Sequence, residues 1–115
     1  MRMILATLLA MTAICSVAAA AQSLPFWNLT SFTITGLYLA PTGTDHWGTN
    51  QCDNDPDKSV SSDERLKITG VTPGRYDVRI TDGKGRVCIV RNVEVKPKGP
   101  YAFSISDKDL TGCTK

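Results

Sequence analysis

Apolar and polar residues alternate along most of the chain beyond residue 22. Tyr76, Val78 and Ile80, which alternate with charged or polar neighbours, are the clearest example. A period of two is typical of β-strands with one buried face. The alternation predicts strands over about 29–40, 65–69, 75–81, 86–95 and 101–106. No segment carries an apolar stripe at helical spacing.

Glycine, proline and polar residues mark the ends of these strands. Asp82-Gly83-Lys84-Gly85 predicts a hairpin loop, because glycine adopts the positive φ angles that tight turns need. Arg91 interrupts the apolar face of the next strand, so we expect a β-bulge near Arg91-Asn92 or an arginine that reaches out of the core. After the last strand we expect a short helical turn capped by Ser106 or Asp107.

The number and spacing of the strands indicate the fold class. Short strands separated by proline and glycine predict an all-β protein: a small antiparallel β-sandwich or partly open barrel of about five to seven strands. The exception is the segment 41–63, which has no regular pattern. A loop of that length in a compact domain is usually functional or disordered, so we expect a site there.

The first 21 residues have the features of a secretory signal peptide. Arg2 supplies the positive charge, an apolar run follows, and Ala19-x-Ala21 is a site that signal peptidase accepts. The run is short for a membrane span, and an uncleaved anchor is the alternative. We therefore expect a periplasmic or secreted protein, a single β domain over 22–115, and no stable membrane insertion after the signal is removed.

Charge gives little indication of a partner. The chain has 13 basic and 11 acidic residues and is close to neutral without the signal, so we expect no nucleic-acid partner. Acidic side chains gather within 45–64, and the strands after this loop are basic. One outward face of a hairpin is predicted to carry Asp77, Arg79, Lys84, Arg86 and Arg91 on or near it. Cross-strand ion pairing is favoured there over anion binding.

Three cysteines, Cys52, Cys88 and Cys113, remain when Cys15 leaves with the signal. Export places them in an oxidising compartment, where disulfides persist. We favour a Cys88–Cys113 bond, because it would tie a frayed C-terminus to a central strand. A bond from Cys52 to either partner stays open. The leftover thiol is either buried and inert or available for an intermolecular bridge.

The segment 53–64 carries the sharpest chemical signal. Its oxygen-bearing side chains recur at the ligand positions of an EF-hand calcium loop, with Asp53, Asp55, Asp57 and Glu64 as candidate ligands. Three features argue against a calcium site. A lysine occupies the position where the EF-hand has glycine, a proline restricts Asp55, and no predicted helices flank the loop. The alternative is a solvated acidic loop whose Asp, Asn and Pro residues form turns. We expect no other cofactor.

Asp45, His46 and Trp47 are the candidate binding residues in the same loop. His46 is the only histidine, and a lone histidine without a nucleophile motif such as Gly-x-Ser-x-Gly does not make a catalytic site. Surface or turn hydrogen bonding is its simpler role. Trp47 either plugs the open end of the sandwich or stands out as an anchor for a ligand or partner. We therefore expect a protein that is not an enzyme.

A succession of short motifs runs through the chain: Asn28-Leu29-Thr30, Tyr38, Pro41-Thr42-Gly43, Trp47-Gly48 and Tyr76-Asp77-Val78-Arg79. In this order they resemble an uncharacterised family of short exported bacterial proteins. The turn and strand at 73–78 is also similar to transthyretin-like and collagen-adhesin-type sandwich modules. The resemblance implies an exported β domain in the bacterial envelope and implies no mechanism.

Together these features predict an exported binding or interaction module. Its recognition surface would be the loop 45–64 with Trp47 as the aromatic anchor, and its partner an unknown protein or small ligand. A calcium-stabilised structural domain is the alternative hypothesis. A hydrolase centred on His46 and Asp45 ranks last, because no nucleophile accompanies the histidine.

Overall fold

The computed structural model describes residues 24–114. The predicted signal peptide, with Cys15, lies outside the described residues. Within 24–114, seven strands and two 3₁₀ turns follow one another in this order: β1 (Leu24–Leu29), β2 (Ile34–Pro41), the turn Gln51–Asn54, β3 (Arg65–Ile68), β4 (Gly74–Asp82), β5 (Val87–Val95), β6 (Phe103–Ser106), the turn Asp107–Asp109 and β7 (Cys113–Thr114).

The strands form two sheets, with the orders β3-β1-β6 and β2-β4-β5-β7. In the described part of the chain the sheets do not close into a barrel, so the all-β prediction is confirmed in its sandwich form. Neighbouring strands pair antiparallel except β1 and β6, which run parallel. β1 lies between β3 and β6 in its sheet, so β3 and β6, on either side of it, run in opposite directions.

Apolar side chains from both sheets meet in one core. Its largest fully buried members include Phe26, Leu37, Ile68, Val78 and Ile105. The rings of Phe26 and Phe103 lie 4.9 Å apart between their centroids. Alternation along each strand directs these residues inward, and each large apolar side chain stabilises the fold by about 1.5–3 kcal/mol.

The predicted first strand, 29–40, is in fact the end of β1 and most of β2, joined by a tight turn. Asn28 forms this turn: its Oδ1 accepts the N–H of Thr30 at 2.9 Å, and its Nδ2 donates to the carbonyls of Phe32 and Val60 at 3.0 Å each. The chain therefore leaves one sheet and enters the other. β1 itself was not predicted, because a buried polar residue, Asn28, occupies an inward position of the strand.

Several local predictions are confirmed. β4 and β5 form the hairpin, and Oδ1 of Asp82 accepts the N–H groups of Lys84 and Arg86 at 2.9 and 3.0 Å in its loop. The register of these strands shifts at the expected bulge, where Asn92 has a φ of 56°. After β6, the side chain of Asp109 accepts the N–H and hydroxyl of Ser106 in the predicted helical turn.

The disulfide joins Cys88 and Cys113, as favoured from the sequence. It links β5 to the short terminal strand β7. Cys52 makes no disulfide among the described residues and is fully buried. Burial, together with the negative charges of Asp53 and Asp55, raises the pKa of the Cys52 thiol to about 11. Of the two roles left open for the spare thiol, the structure supports the buried, inert one.

Candidate functional site

The long loop between β2 and β3 is hydrogen-bonded to the outer edge of β2. The N–H of Gly48 donates to the carbonyl of Leu39 at 2.9 Å. The Asn50 side chain then acts as a strand would: its Oδ1 accepts the N–H of Leu37 and its Nδ2 donates to the carbonyl of Thr35. An edge strand needs partners for these backbone groups, and a side-chain amide offers both a donor and an acceptor.

The same loop also covers the edge of β3 in the other sheet. The Gln51 side chain exchanges two hydrogen bonds with the backbone of Thr69, each 3.0 Å long, and Asn54 donates to the carbonyl of Lys67 at 2.9 Å. Val60 is buried in the core. Much of the predicted recognition loop therefore seals one side of the sandwich, and only parts of it project.

The acidic run does not converge on a common point. Oδ2 of Asp55 accepts the N–H of Asp57 at 2.8 Å, and Oε2 of Glu64 accepts the N–H of Ser61 at 3.2 Å. Asp53 lies in the 3₁₀ turn and is exposed. Among residues 24–114, no three His, Cys, Asp or Glu residues form a group that could hold a metal ion. Calcium binding stays a prediction, because the described part of the loop does not bring three or more candidate ligands together.

Trp47 lies outside the core and packs on the outer face of the four-stranded sheet. A tight turn, in which the N–H of Trp47 donates to the carbonyl of Asp45 at 2.9 Å, brings it there. Its ring lies 4.9 Å from the Arg79 guanidinium carbon, which is also 4.5 Å from the ring of Tyr38. We call these three residues, Tyr38, Trp47 and Arg79, the Arg79 cluster.

Strand pairing and a glycine position the Arg79 cluster. Tyr38 of β2 lies directly opposite Arg79 of β4, so the two side chains share the outward face. Gly36 lies on the same strand as Tyr38, and a Cβ at this position would clash with the Thr81 hydroxyl and approach the Tyr38 ring to 3.0 Å. The absence of a side chain at Gly36 leaves the space in which the ring lies.

Among residues 24–114, Arg79 is a cation without a charged partner. Its Nε is buried and has no hydrogen-bond partner, and its guanidinium forms no ion pair in the described part of the chain. The arginine Nη groups that donate hydrogen bonds in this part of the chain belong to Arg75 and Arg91, and Arg79 donates none. The predicted cross-strand pairing is confirmed for Arg91 with Asp77 at 3.0 Å, and Arg86 pairs along its own hairpin with Asp82 at 3.3 Å. Arg79, on the same hairpin, has no such pair.

Asp45 and His46 are exposed beside the Arg79 cluster. The N–H of His46 donates to the hydroxyl of Thr44 at 3.3 Å. Neither the Asp45 nor the His46 side chain forms a hydrogen bond or an ion pair among residues 24–114. His46 also lines an open concavity of about 510 Å³ between its loop and the turn at 69–72, with Tyr76 on its wall.

The sequence predicted Asp77 on the outward face of the hairpin, and this was wrong, because its side chain is buried and hydrogen-bonded to neighbouring backbone. Its side chain is 2% exposed and accepts hydrogen bonds from the N–H of Asn92, the N–H of Gly43 and Nη1 of Arg91. Burial opposes its ionisation, but these hydrogen bonds and the Arg91 charge outweigh burial and lower the pKa of Asp77. The motif Tyr76-Asp77-Val78-Arg79 therefore contains one buried structural carboxylate and one outward cation.

Neither a protein-family model, nor a curated protein, nor a solved structure matches this chain. Among residues 24–114, no helix is long and apolar enough to cross a membrane. A fold of this kind supports many functions. The functional conclusion must therefore come from the chemistry of the Arg79 cluster and its surroundings.

Proposed function

We propose that this protein is an exported binding module, periplasmic or secreted, rather than an enzyme. It contacts a protein or small ligand through the Arg79 cluster and the exposed side chains of Asp45 and His46. The signal sequence at 1–21 and the Cys88–Cys113 disulfide support export, since disulfides persist in oxidising compartments. The sequence resemblance to short exported bacterial proteins agrees with this setting.

The observation that carries the proposal is that Arg79 lies against two aromatic rings on a sheet face and has no ion-pair partner within the described range 24–114. Tryptophan, tyrosine and arginine are the residue types most enriched at binding hot spots. Tryptophan and tyrosine offer a large contact area with few rotatable bonds, and arginine offers directed donors on a planar fork, so little ordering is needed on binding. The hydrogen bonds from the loop to β2 hold Trp47 in place before a partner arrives.

Cross-linking in exporting cells tests this proposal. A photoreactive amino acid replaces His46, and a matched control places it at Lys67, which is exposed on β3 of the other sheet. We expect an adduct from position 46 that is lost when Trp47→Leu is added, and none from position 67. Equal adducts from both positions, or an adduct that Trp47→Leu leaves unchanged, would contradict the proposed surface.

A further inference from the structure

Three arginines in the described residues lie over aromatic rings, in four contacts altogether. Arg79 differs from the other two. Arg65 lies over one ring, Trp27, at 4.6 Å and is exposed. Arg86 lies over Phe32 at 4.3 Å and is paired with Asp82. Arg79 alone in this set contacts two rings, is partly buried and has no carboxylate partner among residues 24–114.

Removing a cation from water without a counter-charge is unfavourable. The faces of Tyr38 and Trp47 offset part of this cost, because an aromatic face attracts a cation. The rings accept no strong hydrogen bond, and the Nη donors of Arg79 have no acceptor among residues 24–114, unlike those of Arg75 and Arg91. An anion at these donors would supply both the missing charge and the missing acceptors.

The guanidinium is also held in position before any ligand binds. Contact with two rings restricts its rotation, and both Tyr38 and Arg79 extend from paired strands of the four-stranded sheet. A planar fork of donors matches two oxygens on one centre, as in a carboxylate, a sulfate or a phosphate. Because the fork is already oriented, binding requires little further loss of side-chain freedom.

We infer that the Arg79 cluster is a receptor for an oxyanion group of the ligand, with the guanidinium of Arg79 bonding two of its oxygens. The inference rests on the proposed function and names the chemistry that its surface recognises. It reverses the expectation from the sequence, which favoured ion pairing on this hairpin. Arg86 and Arg91 follow that expectation, and Arg79 does not.

The test is an NMR titration of the ¹⁵N-labelled protein, purified after export. The probes are acetate, sulfate and inorganic phosphate, each compared with chloride at equal ionic strength, and the readouts are the Arg79 Nε–Hε and Trp47 indole resonances. We expect at least one oxyanion to shift both resonances saturably, with a dissociation constant in the millimolar range. A response to acetate alone indicates a carboxylate ligand, and a response to sulfate or phosphate indicates a tetrahedral one.

Two variants separate recognition by the fork from general attraction of charge. Arg79→Lys keeps the charge without the fork, so we expect binding, followed on the Trp47 indole, to weaken by about tenfold. Arg86→Lys is the matched control and should leave the titration unchanged. Trp47→Leu, at a residue outside the core, removes one ring and should also weaken binding at the Arg79 Nε–Hε resonance. It serves as the second test if Arg79→Lys fails to fold.

The inference is wrong if the shifts are linear in probe concentration, if chloride reproduces them, or if the folded variants of the cluster bind as well as the original protein. Its failure differs from failure of the proposed function. A cross-link from position 46 that depends on Trp47, in a protein that shows no oxyanion binding, would retain the binding module and exclude the oxyanion receptor.

Discussion

Replacing Asp77 with alanine should destabilise the sandwich through the backbone rather than through a lost ion pair. The Asp77 carboxylate accepts the N–H of Asn92 at 3.0 Å and the N–H of Gly43 at 3.2 Å. These bonds attach the bulge of β5 and the turn after β2 to the central strand β4. Arg91 adds a third contact, at 3.0 Å, but its side chain is 63% exposed.

The structure indicates the size of the effect. Leaving a buried donor without an acceptor costs about 1–3 kcal/mol, and both N–H groups lie close enough to the surface to place each cost near the lower limit. The exposed ion pair with Arg91 contributes at most about 1 kcal/mol. We expect Asp77→Ala to lower the free energy of unfolding by about 2 kcal/mol, equivalent to about 8–16 °C in Tm for a domain of this size.

Two further variants identify which interaction matters. Asp77→Asn keeps the shape and one acceptor oxygen, so its loss of stability should lie between that of Asp77→Ala and zero. Arg91→Ala removes only the ion pair and should cost less than about 1 kcal/mol. Urea unfolding followed by circular dichroism measures the free energy of unfolding of all three variants. A loss in Arg91→Ala as large as that in Asp77→Ala would refute the argument from the backbone.

The acid dependence of stability provides an independent check. The pKa of Asp77 is lowered in the folded protein from its ordinary value of 3.8, because its hydrogen bonds outweigh the opposing effect of burial. The ionised carboxylate therefore stabilises the fold fully above about pH 4 and progressively less as the pH falls through the folded pKa. The stability difference between the original protein and Asp77→Asn should shrink below about pH 4. If the stability difference between the two proteins stays constant at lower pH, the ionised Asp77 carboxylate is not the source of the stabilisation. Asp82, whose pKa is also lowered, is present in both proteins.

Three other predictions concern the cysteines and the acidic loop. Reducing the Cys88–Cys113 bond, which closes a sequence separation of 25 residues, should cost about 2–4 kcal/mol in a thermal melt, and an unchanged Tm would show that β7 contributes nothing to stability. Cys52 is fully buried, and its thiol has a pKa of about 11, so mass spectrometry after iodoacetamide treatment should find it unmodified in the native protein and modified in denaturant. Rapid native labelling would contradict the buried position. Millimolar calcium should leave the Tm unchanged, because Asp55 and Glu64 already accept local N–H groups; a rise that Asp55→Asn abolishes would instead support the calcium-stabilised domain.

Strand prediction succeeded where short-range patterning decides the structure. Tyr76, Val78 and Ile80 alternate without interruption, and the β4–β5 hairpin follows from the two glycines after Asp82. Arg91 revealed the bulge because a charged residue cannot continue an apolar face. β1 was missed because its inward position at Asn28 is polar. The Nδ2 group of this side chain donates to the carbonyls of Phe32 and of Val60, and Val60 is distant in the sequence.

The candidate site was predicted only in part. Trp47 was identified as an anchor or a plug, and the tertiary structure places it on Arg79, a residue distant in the sequence. No local pattern predicts that, in the part of the chain that the structure describes, Arg86 and Arg91 each pair with a carboxylate and Arg79 does not. The loop amides of Asn50 and Gln51 likewise resemble ordinary loop residues until the strand edges that they cover are known.

By itself, the sequence determined the elements whose causes are local: the period-two strands, the glycine turn, the bulge and the all-β class. Only the tertiary structure decided which surfaces meet: the sealing of the sandwich by the long loop, the dispersal of the acidic run and the formation of the Arg79 cluster. Local conformation depends on neighbours within a few residues, whereas a binding site depends on contacts between strands that are far apart in the chain and whose partners are set by the packing of the two sheets.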